Sequence, residues 1–381
     1  MTAYKCLIGN RRKAAFHRNT SKLDANKWLK LNKMKKIVLF CVPPSCGGAE
    51  RVTLTIAKLL DLNKFDIKIV IIGKSKGEIV DFIPDSFDII HIKTRNIWDF
   101  TTCKLVNLFK NIHPDIVFCS LMSLNTRVIL AAKIVGNIKT IIRNNNSIST
   151  LRYDNRLLVK KLYQYASEII LQTDEMKVEI VKYLNLNNNK LHVIFNPIDI
   201  EAIKINLKQT TTPFDSNYIN YVFVGRIDYC KGLDILISSF ASLLKDIPMC
   251  RLYIVGKTIN SNSYYLRLKQ QIENLGIKDS VIWTGFTTNP YQYIKYADCF
   301  VLPSRREGLP NVLLDAMYLK VPVVVTRSVP VIDRIVQPQR GLVVDVEDVL
   351  SLKNAMYEAK DLIIEDEYNE GSKDEVAKLF E

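Results

Sequence analysis

The sequence has no apolar run long enough to cross a bilayer, which takes about 20 residues. Its longest apolar stretches, such as Ile37–Val42 and Val321–Val325, are strand-sized. No apolar segment follows the basic residues at the amino terminus, so nothing there reads as a secretory signal. Cysteines are few and scattered (Cys6, Cys41, Cys46, Cys103, Cys119, Cys230, Cys250 and Cys299), and none forms a Cys-x-x-Cys pair. Several lie in apolar stretches, where a thiol behaves as a small hydrophobe. This usage points to reduced thiols in a cytosolic protein rather than a disulfide framework. Histidine is scarcer still. His17, His91, His113 and His192 are too far apart for the spacing of a structural zinc site. The dinucleotide fingerprint G-x-G-x-x-G is missing, which argues against an oxidoreductase. An Asp-x-Asp metal motif is missing too.

What remains is a globular chain of 381 residues, 48% hydrophobic and 24% charged, long enough for two domains. The net charge of +14 is unevenly spread. Residues 1–33 carry nine Lys or Arg and one acid, residues 34–198 carry 23 and 14, and residues 199–381 carry 21 and 24. The basic first half reads either as a solvated face or as a surface for an anionic partner. The basic residues are diffuse, without interleaved aromatics or a docking motif, which disfavours nucleic acid.

Residues 1–33 show no apolar periodicity. Met34-Lys35-Lys36 followed by Ile37–Val42 looks like a start codon and a first buried strand, so residues 1–33 are expected to be a disordered extension. Beyond it, β-branched runs (Ile67–Ile72, Ile116–Cys119, Thr140–Ile142, Glu168–Leu171, His192–Ile194) alternate with helical stretches near Ala49–Leu60, Leu124–Val135, Leu157–Tyr165 and Asp174–Leu184. Apolar runs without alternation indicate strands covered on both faces, as in a parallel sheet. Residues 34–198 therefore form one doubly wound domain. A turn at Asn196-Pro197-Ile198-Asp199 and a polar stretch after it place a linker at 199–216. The alternation then restarts, giving a second such domain at 217–360. Residues 361–381 are expected to be helical and to pack back on the first domain.

Three segments between a strand and a helix can carry chemistry. In Val224-Gly225-Arg226-Ile227-Asp228-Tyr229-Cys230-Lys231-Gly232, Gly225 permits a tight turn, and Arg226 and Lys231 project beside a helix amino terminus. Two cations and a helix dipole suit a diphosphate; an ordinary turn with two surface cations is the plainer alternative. In Ser304-Arg305-Arg306-Glu307-Gly308-Leu309-Pro310-Asn311-Val312-Leu313-Leu314-Asp315, Pro310 suits a first helical turn, and the amides of Gly308–Val312 can orient a phosphate or sugar. Glu307 at the helix entrance and Asp315 two turns on can accept from paired hydroxyls. A capping acid and a solvated side chain are the plainer alternatives. Cys46-Gly47-Gly48-Ala49-Glu50-Arg51 lets a ligand approach the backbone after the first strand.

In their order, separation and context these segments resemble the family 4 glycosyltransferases of the GT-B fold, from about Met34 to Val344. The resemblance rests most on a Glu, seven residues and an acid, preceded by G-R-x-x-x-x-K-G. It implies two Rossmann-like domains facing a cleft and a retaining, metal-independent transferase with no cofactor beyond its nucleotide-sugar co-substrate. By the same resemblance Arg226 and Lys231 bind the donor diphosphate and Glu307 the transferred sugar. Asp315 takes the ribose, and Gly47 and Gly48 face the phosphates, with Gly225, Gly308, Leu309, Pro310, Asn311 and Val312 completing the donor site. Two departures stand out: Asp315 replaces the family's usual Glu, and Ser120–Asn125 holds no family-type histidine. The expected donor is a UDP-sugar. The expected acceptor is a lipid-linked saccharide in surface-glycan assembly, met by peripheral contact at the cytoplasmic membrane face. A sugar phosphorylase or epimerase on the same fold, or an inactive glycan-binding relative, is the alternative.

Overall fold

The computed structural model describes residues 34–381 except 42–46, 74–77, 95–100, 152, 185, 187, 209, 259–261, 366–367 and 369–371. The expected extension 1–33 therefore lies outside the described residues.

The first sheet has seven parallel strands: β1 Lys35–Cys41, β2 Phe65–Gly73, β3 Asp88–Lys93, β4 Ile116–Cys119, β5 Lys139–Asn144, β6 Glu168–Leu171 and β7 Leu191–Val193. They lie in the order β3-β2-β1-β4-β5-β6-β7. Strand periodicity divides β1 between two cores. Ile37, Leu39 and Cys41 face helix Gly48–Leu59, whereas Val38 and Phe40 face helices Thr101–Ile112 and Met122–Val135. Both faces are covered from Ile37 onward, so the strand is an unbroken apolar run from there to Cys41, as the sequence pattern implies.

The second sheet has six parallel strands: β8 Ile219–Val224, β9 Cys250–Val255, β10 Val281–Gly285, β11 Cys299–Leu302, β12 Val323–Thr326 and β13 Gly341–Val344. Their order is β10-β9-β8-β11-β12-β13. Strand order reverses between β1 and β4 in one sheet and between β8 and β11 in the other. Ligands of such sheets bind beyond the carboxyl ends of the strands at these switch points. All three chemistry-bearing segments leave there: 47–51 after β1, 225–232 after β8 and 303–311 after β11.

The span read as a linker contains helix Ile200–Leu207. Asp199 caps it by accepting from Ala202 N–H at 3.0 Å, and Ile198 and Ile203 pack into the second domain's core. At the other end of the chain, helix Ser372–Lys378 lies against helix Gly48–Leu59. Val376 and Phe380 are buried in the first domain's core, with the Phe380 ring 5.8 Å from that of Phe118.

Candidate active site between the two sheets

Lys231 and Glu307 meet. The Lys231 Nζ donates to Glu307 Oε1 at 2.6 Å, and Ser304 Oγ donates to the same oxygen at 2.6 Å. Both side chains are mostly covered, 15% and 11% exposed. Their meeting follows from topology, because β8 and β11 are hydrogen-bonded neighbours and each releases its loop at the same edge. Gly232 makes the fit possible. It sits at φ +66°, and a Cβ there would stand 2.0 Å from the Pro303 carbonyl oxygen. The tight turn assigned to Gly225 thus belongs to Gly232, while Gly225 has no left-handed backbone.

Arg226 does not join this pair. Its side chain is 80% exposed and its nearest acid is Asp228, at 3.4 Å. Sequence reasoning passed over Arg305, which ties the two loops together. Its guanidinium donates to both Asp234 oxygens at 2.8 and 2.7 Å and to Tyr229 O at 2.8 Å, and it also pairs with Glu347. Its backbone N–H donates to Cys230 O at 2.8 Å. Asp234 raises the Arg305 guanidinium above its usual range. Burial pushes the Asp234 carboxyl up, but its bonds to Arg305 and Tyr264 outweigh this and leave it below its usual value.

The second loop bears directly on the first domain. Asn311 Nδ2 donates to Gly48 O at 2.9 Å, and Asn196 Nδ2 donates to Leu309 O at 2.8 Å. Gly308 is pressed against the first domain too: a Cβ would stand 2.5 Å from Asn145 O and 2.6 Å from the end of the Gln172 side-chain amide. The Leu309 and Val312 side chains pack on the second core, so only their backbone groups are available to a ligand. Pro310 precedes helix Asn311–Tyr318 as its N-cap, one place earlier than the first-turn position read from sequence. First-turn amides of a helix lack intrahelical acceptors and favour an anion.

Asp315 is buried rather than solvated, which removes the plainer alternative for it. It faces Arg51 of the first domain at 3.3 Å, and Arg51 also donates to Tyr291 Oη at 2.6 Å. Burial raises the Asp315 carboxyl, and Arg51 offsets this in part. Gly47 is the N-cap of helix Gly48–Leu59. Three residues on, Glu50 is buried. Desolvation pushes its carboxyl up, while bonds from the backbone of Glu50 itself and of Gly47, and the charge of Arg226, pull it down. The bond back to the N-cap amide is the acidic half of a capping box, which Gly47 has no side chain to return.

Where the family histidine is absent, Ser120 and Asn125 are fully buried and bonded to Arg143: its guanidinium donates to Ser120 Oγ at 3.2 Å, and its carbonyl accepts from Asn125 Nδ2 at 3.1 Å. Arg143, Gln172 and Asn196 are not among the site residues expected from the sequence, where Asn196 reads only as part of the turn before the linker. The one available signal was their position, each at or just beyond the carboxyl end of a strand of the first sheet.

Two family models match the chain: "Glycosyltransferase Family 4" over residues 46–202 and "Glycosyl transferases group 1" over residues 205–370. An uncharacterised glycosyltransferase of Methanocaldococcus jannaschii is 28% identical over 61% of this chain and 62% of its own length, so the match spans under two thirds of that relative. The N-acetylgalactosamine-N,N'-diacetylbacillosaminyl-diphospho-undecaprenol 4-alpha-N-acetylgalactosaminyltransferase of Campylobacter jejuni is 25% identical over 88% of this chain and 91% of that protein. Among solved structures, Anabaena HepE in complex with UDP and glucose superposes with a TM-score of 0.73 at 17% identity, covering 90% of this chain and 95% of that one. With the motif-bearing loops at the switch points of two parallel sheets, the chain belongs to the family 4 (group 1) glycosyltransferases of the GT-B fold.

Proposed function

We propose that the protein is a retaining hexosyltransferase that moves a sugar from a UDP-sugar to a lipid-linked saccharide during surface-polysaccharide assembly. The carrying observation is the covered Lys231–Glu307 pair beside two helix amino termini. Lys231 stabilises the charge that develops on the leaving diphosphate, aided by Arg226 and the first-turn amides. Glu307 accepts hydrogen bonds from hydroxyls of the transferred sugar. Asp315 receives the ribose hydroxyls, sharing them with Arg51. The bond from the anomeric carbon to the phosphate oxygen breaks as the acceptor oxygen bonds to the same face of that carbon. The acceptor's proton passes to the departing phosphate oxygen, and UDP leaves. No enzyme nucleophile, cofactor or divalent metal enters this scheme, because cations and amides already carry the charge. The alpha linkage in the name of the Campylobacter relative agrees with retention from an alpha-linked donor.

Proton NMR of fresh product is the test. Retained anomeric configuration is expected, with a rate unchanged by EDTA. An inverted product overturns the retaining mechanism. Loss of activity in EDTA with recovery in manganese overturns metal independence.

The acceptor side supports a membrane reading. Helix Tyr153–Leu162 buries Val159 against the first domain, followed by Tyr163. Its outer arc exposes Tyr153, Leu157 and Leu158 beside exposed Lys160 and Lys161. Apolar side chains interspersed with lysines suit the interface of an anionic bilayer. In liposome co-sedimentation, the chain is expected to pellet with anionic vesicles, less so in high salt. The double variant Leu157→Glu, Leu158→Glu is expected to stay in the supernatant. Equal recovery on neutral and anionic vesicles at any salt removes the electrostatic case for a membrane-held acceptor.

A further inference from the structure

Arg143, near the carboxyl end of β5, heads the fully buried side chains of the described residues by size, at 1% exposure. Its partners are all neutral. The guanidinium donates to Ser120 Oγ at 3.2 Å and to Asn196 Oδ1. With the Gln172 amide turned so that both its ends are satisfied, the guanidinium also donates to the Gln172 carbonyl at 2.6 Å, and the Gln172 NH₂ donates to Asn145 O at 3.0 Å. No carboxylate among the described residues pairs with it. Burial lowers it to about 9, so it still carries its charge at neutral pH.

A buried guanidinium without a counter-charge is costly, and such a charge is normally paired. The position suggests which anion would complete it. Asn196, which accepts from Arg143, donates to Leu309 O at 2.8 Å and to Asn311 Oδ1. Gln172 and Asn145 touch Gly308. Arg143 is thus one side chain removed from the loop that follows Glu307, where the proposed function puts the donor diphosphate.

We propose that Arg143 is a positioning residue for the diphosphate half of the donor: it fixes the Gly308–Asn311 loop through Asn196 and Gln172, and it lends the site an unneutralised positive charge from behind. The inference rests on the donor reading above in taking a diphosphate as the anion. A residue acting only as packing would affect every ligand of the cleft alike. A residue acting through charge discriminates by ligand charge.

The test is calorimetric titration of the full chain with UDP, uridine and inorganic pyrophosphate. The proteins compared are the parent, Arg143→Met, Arg143→Lys and Gln172→Glu. The last keeps the arginine and adds a carboxylate against it, so the test survives if Arg143→Met fails to fold. Arg143→Met and Gln172→Glu are expected to weaken UDP and pyrophosphate about tenfold, the scale of one screened charge interaction inside a protein. Uridine is expected to change less than about twofold, and Arg143→Lys to recover most of the UDP affinity, since it keeps the charge. Equal losses for uridine and UDP, or unchanged UDP and pyrophosphate affinity in both neutralised variants, overturn the inference. A parent that binds pyrophosphate but not UDP overturns the donor reading instead, and Arg143 is then judged on pyrophosphate alone.

Discussion

Lys231→Ala and Glu307→Ala are each expected to lower kcat at least about a hundredfold, the scale seen when a donor that stabilises transition-state charge is removed. A hundredfold loss corresponds to about 2.7 kcal/mol of barrier. The two side chains reach the site from loops 76 residues apart and share one short ion pair. Each substitution therefore leaves a mostly covered charge without its partner. The double variant is expected to lose much less than the product of the single losses, because both singles disrupt the same pair. Asp315→Ala is expected to behave differently. A ribose contact is made equally in ground and transition states, so its loss falls on donor KM. Steady-state kinetics on the three variants make the comparison. Near-normal turnover in Glu307→Ala would mean that the reacting sugar does not sit at this pair.

Much of this site is legible along the chain because its loops are contiguous. Each loop is a short run between a buried strand and a helix, so the boundary, the glycines and the charged residues appear together. The parallel sheets are legible for the same reason, since strands covered on both faces read as unbroken apolar runs. Edge strand β3 escaped this reading. Asp88 and Lys93 at its ends are exposed and the residues between are only half-buried, so it lacks that run. Helix Thr101–Ile112 also escaped. Its fully buried side chains are only Thr101, Leu105 and Phe109, with Val106, Leu108 and Ile112 half-covered between polar residues.

Contacts across the cleft are a different matter. Arg51 and Asp315 are 264 residues apart, and Asn196 and Asn311 are 115 apart. No local pattern pairs them; only the meeting of two switch points does. The same limit explains Arg226. Composition and spacing group it with Lys231, but the turn at Tyr229–Lys231 carries Lys231 inward to Glu307 and leaves Arg226 in solvent. Arg143 was silent because a lone arginine in an Ile-Ile-Arg-Asn-Asn-Asn run carries no motif, and its partners come from the ends of three other strands or their following loops.

Gly232→Ala is expected to lower Tm by roughly 4–16 °C and to take most of the activity with it. Two separate costs produce the loss of stability. An alanine held at φ +66° pays about 1 kcal/mol relative to glycine. Its Cβ would also lie 2.0 Å from the Pro303 carbonyl oxygen, a backbone atom that no rotamer change can move. Relieving that overlap shifts β11's loop or the start of helix Leu233–Asp246, at about 1–3 kcal/mol. Each kcal/mol moves Tm by about 2–4 °C in a domain of this size. Gly276→Ala separates the two terms. Gly276 has nearly the same φ, +67°, but nothing lies within 4 Å of its would-be Cβ. That variant is expected to show the small backbone cost alone and to keep its activity. The activity loss in Gly232→Ala follows from position: the residue lies between Lys231 and its helix, and Pro303 adjoins the Ser304 that holds Glu307. Scanning calorimetry and donor turnover on both variants make the measurement. If Gly232→Ala melts and turns over like Gly276→Ala, the close approach of the two loops does not set the Lys231–Glu307 geometry.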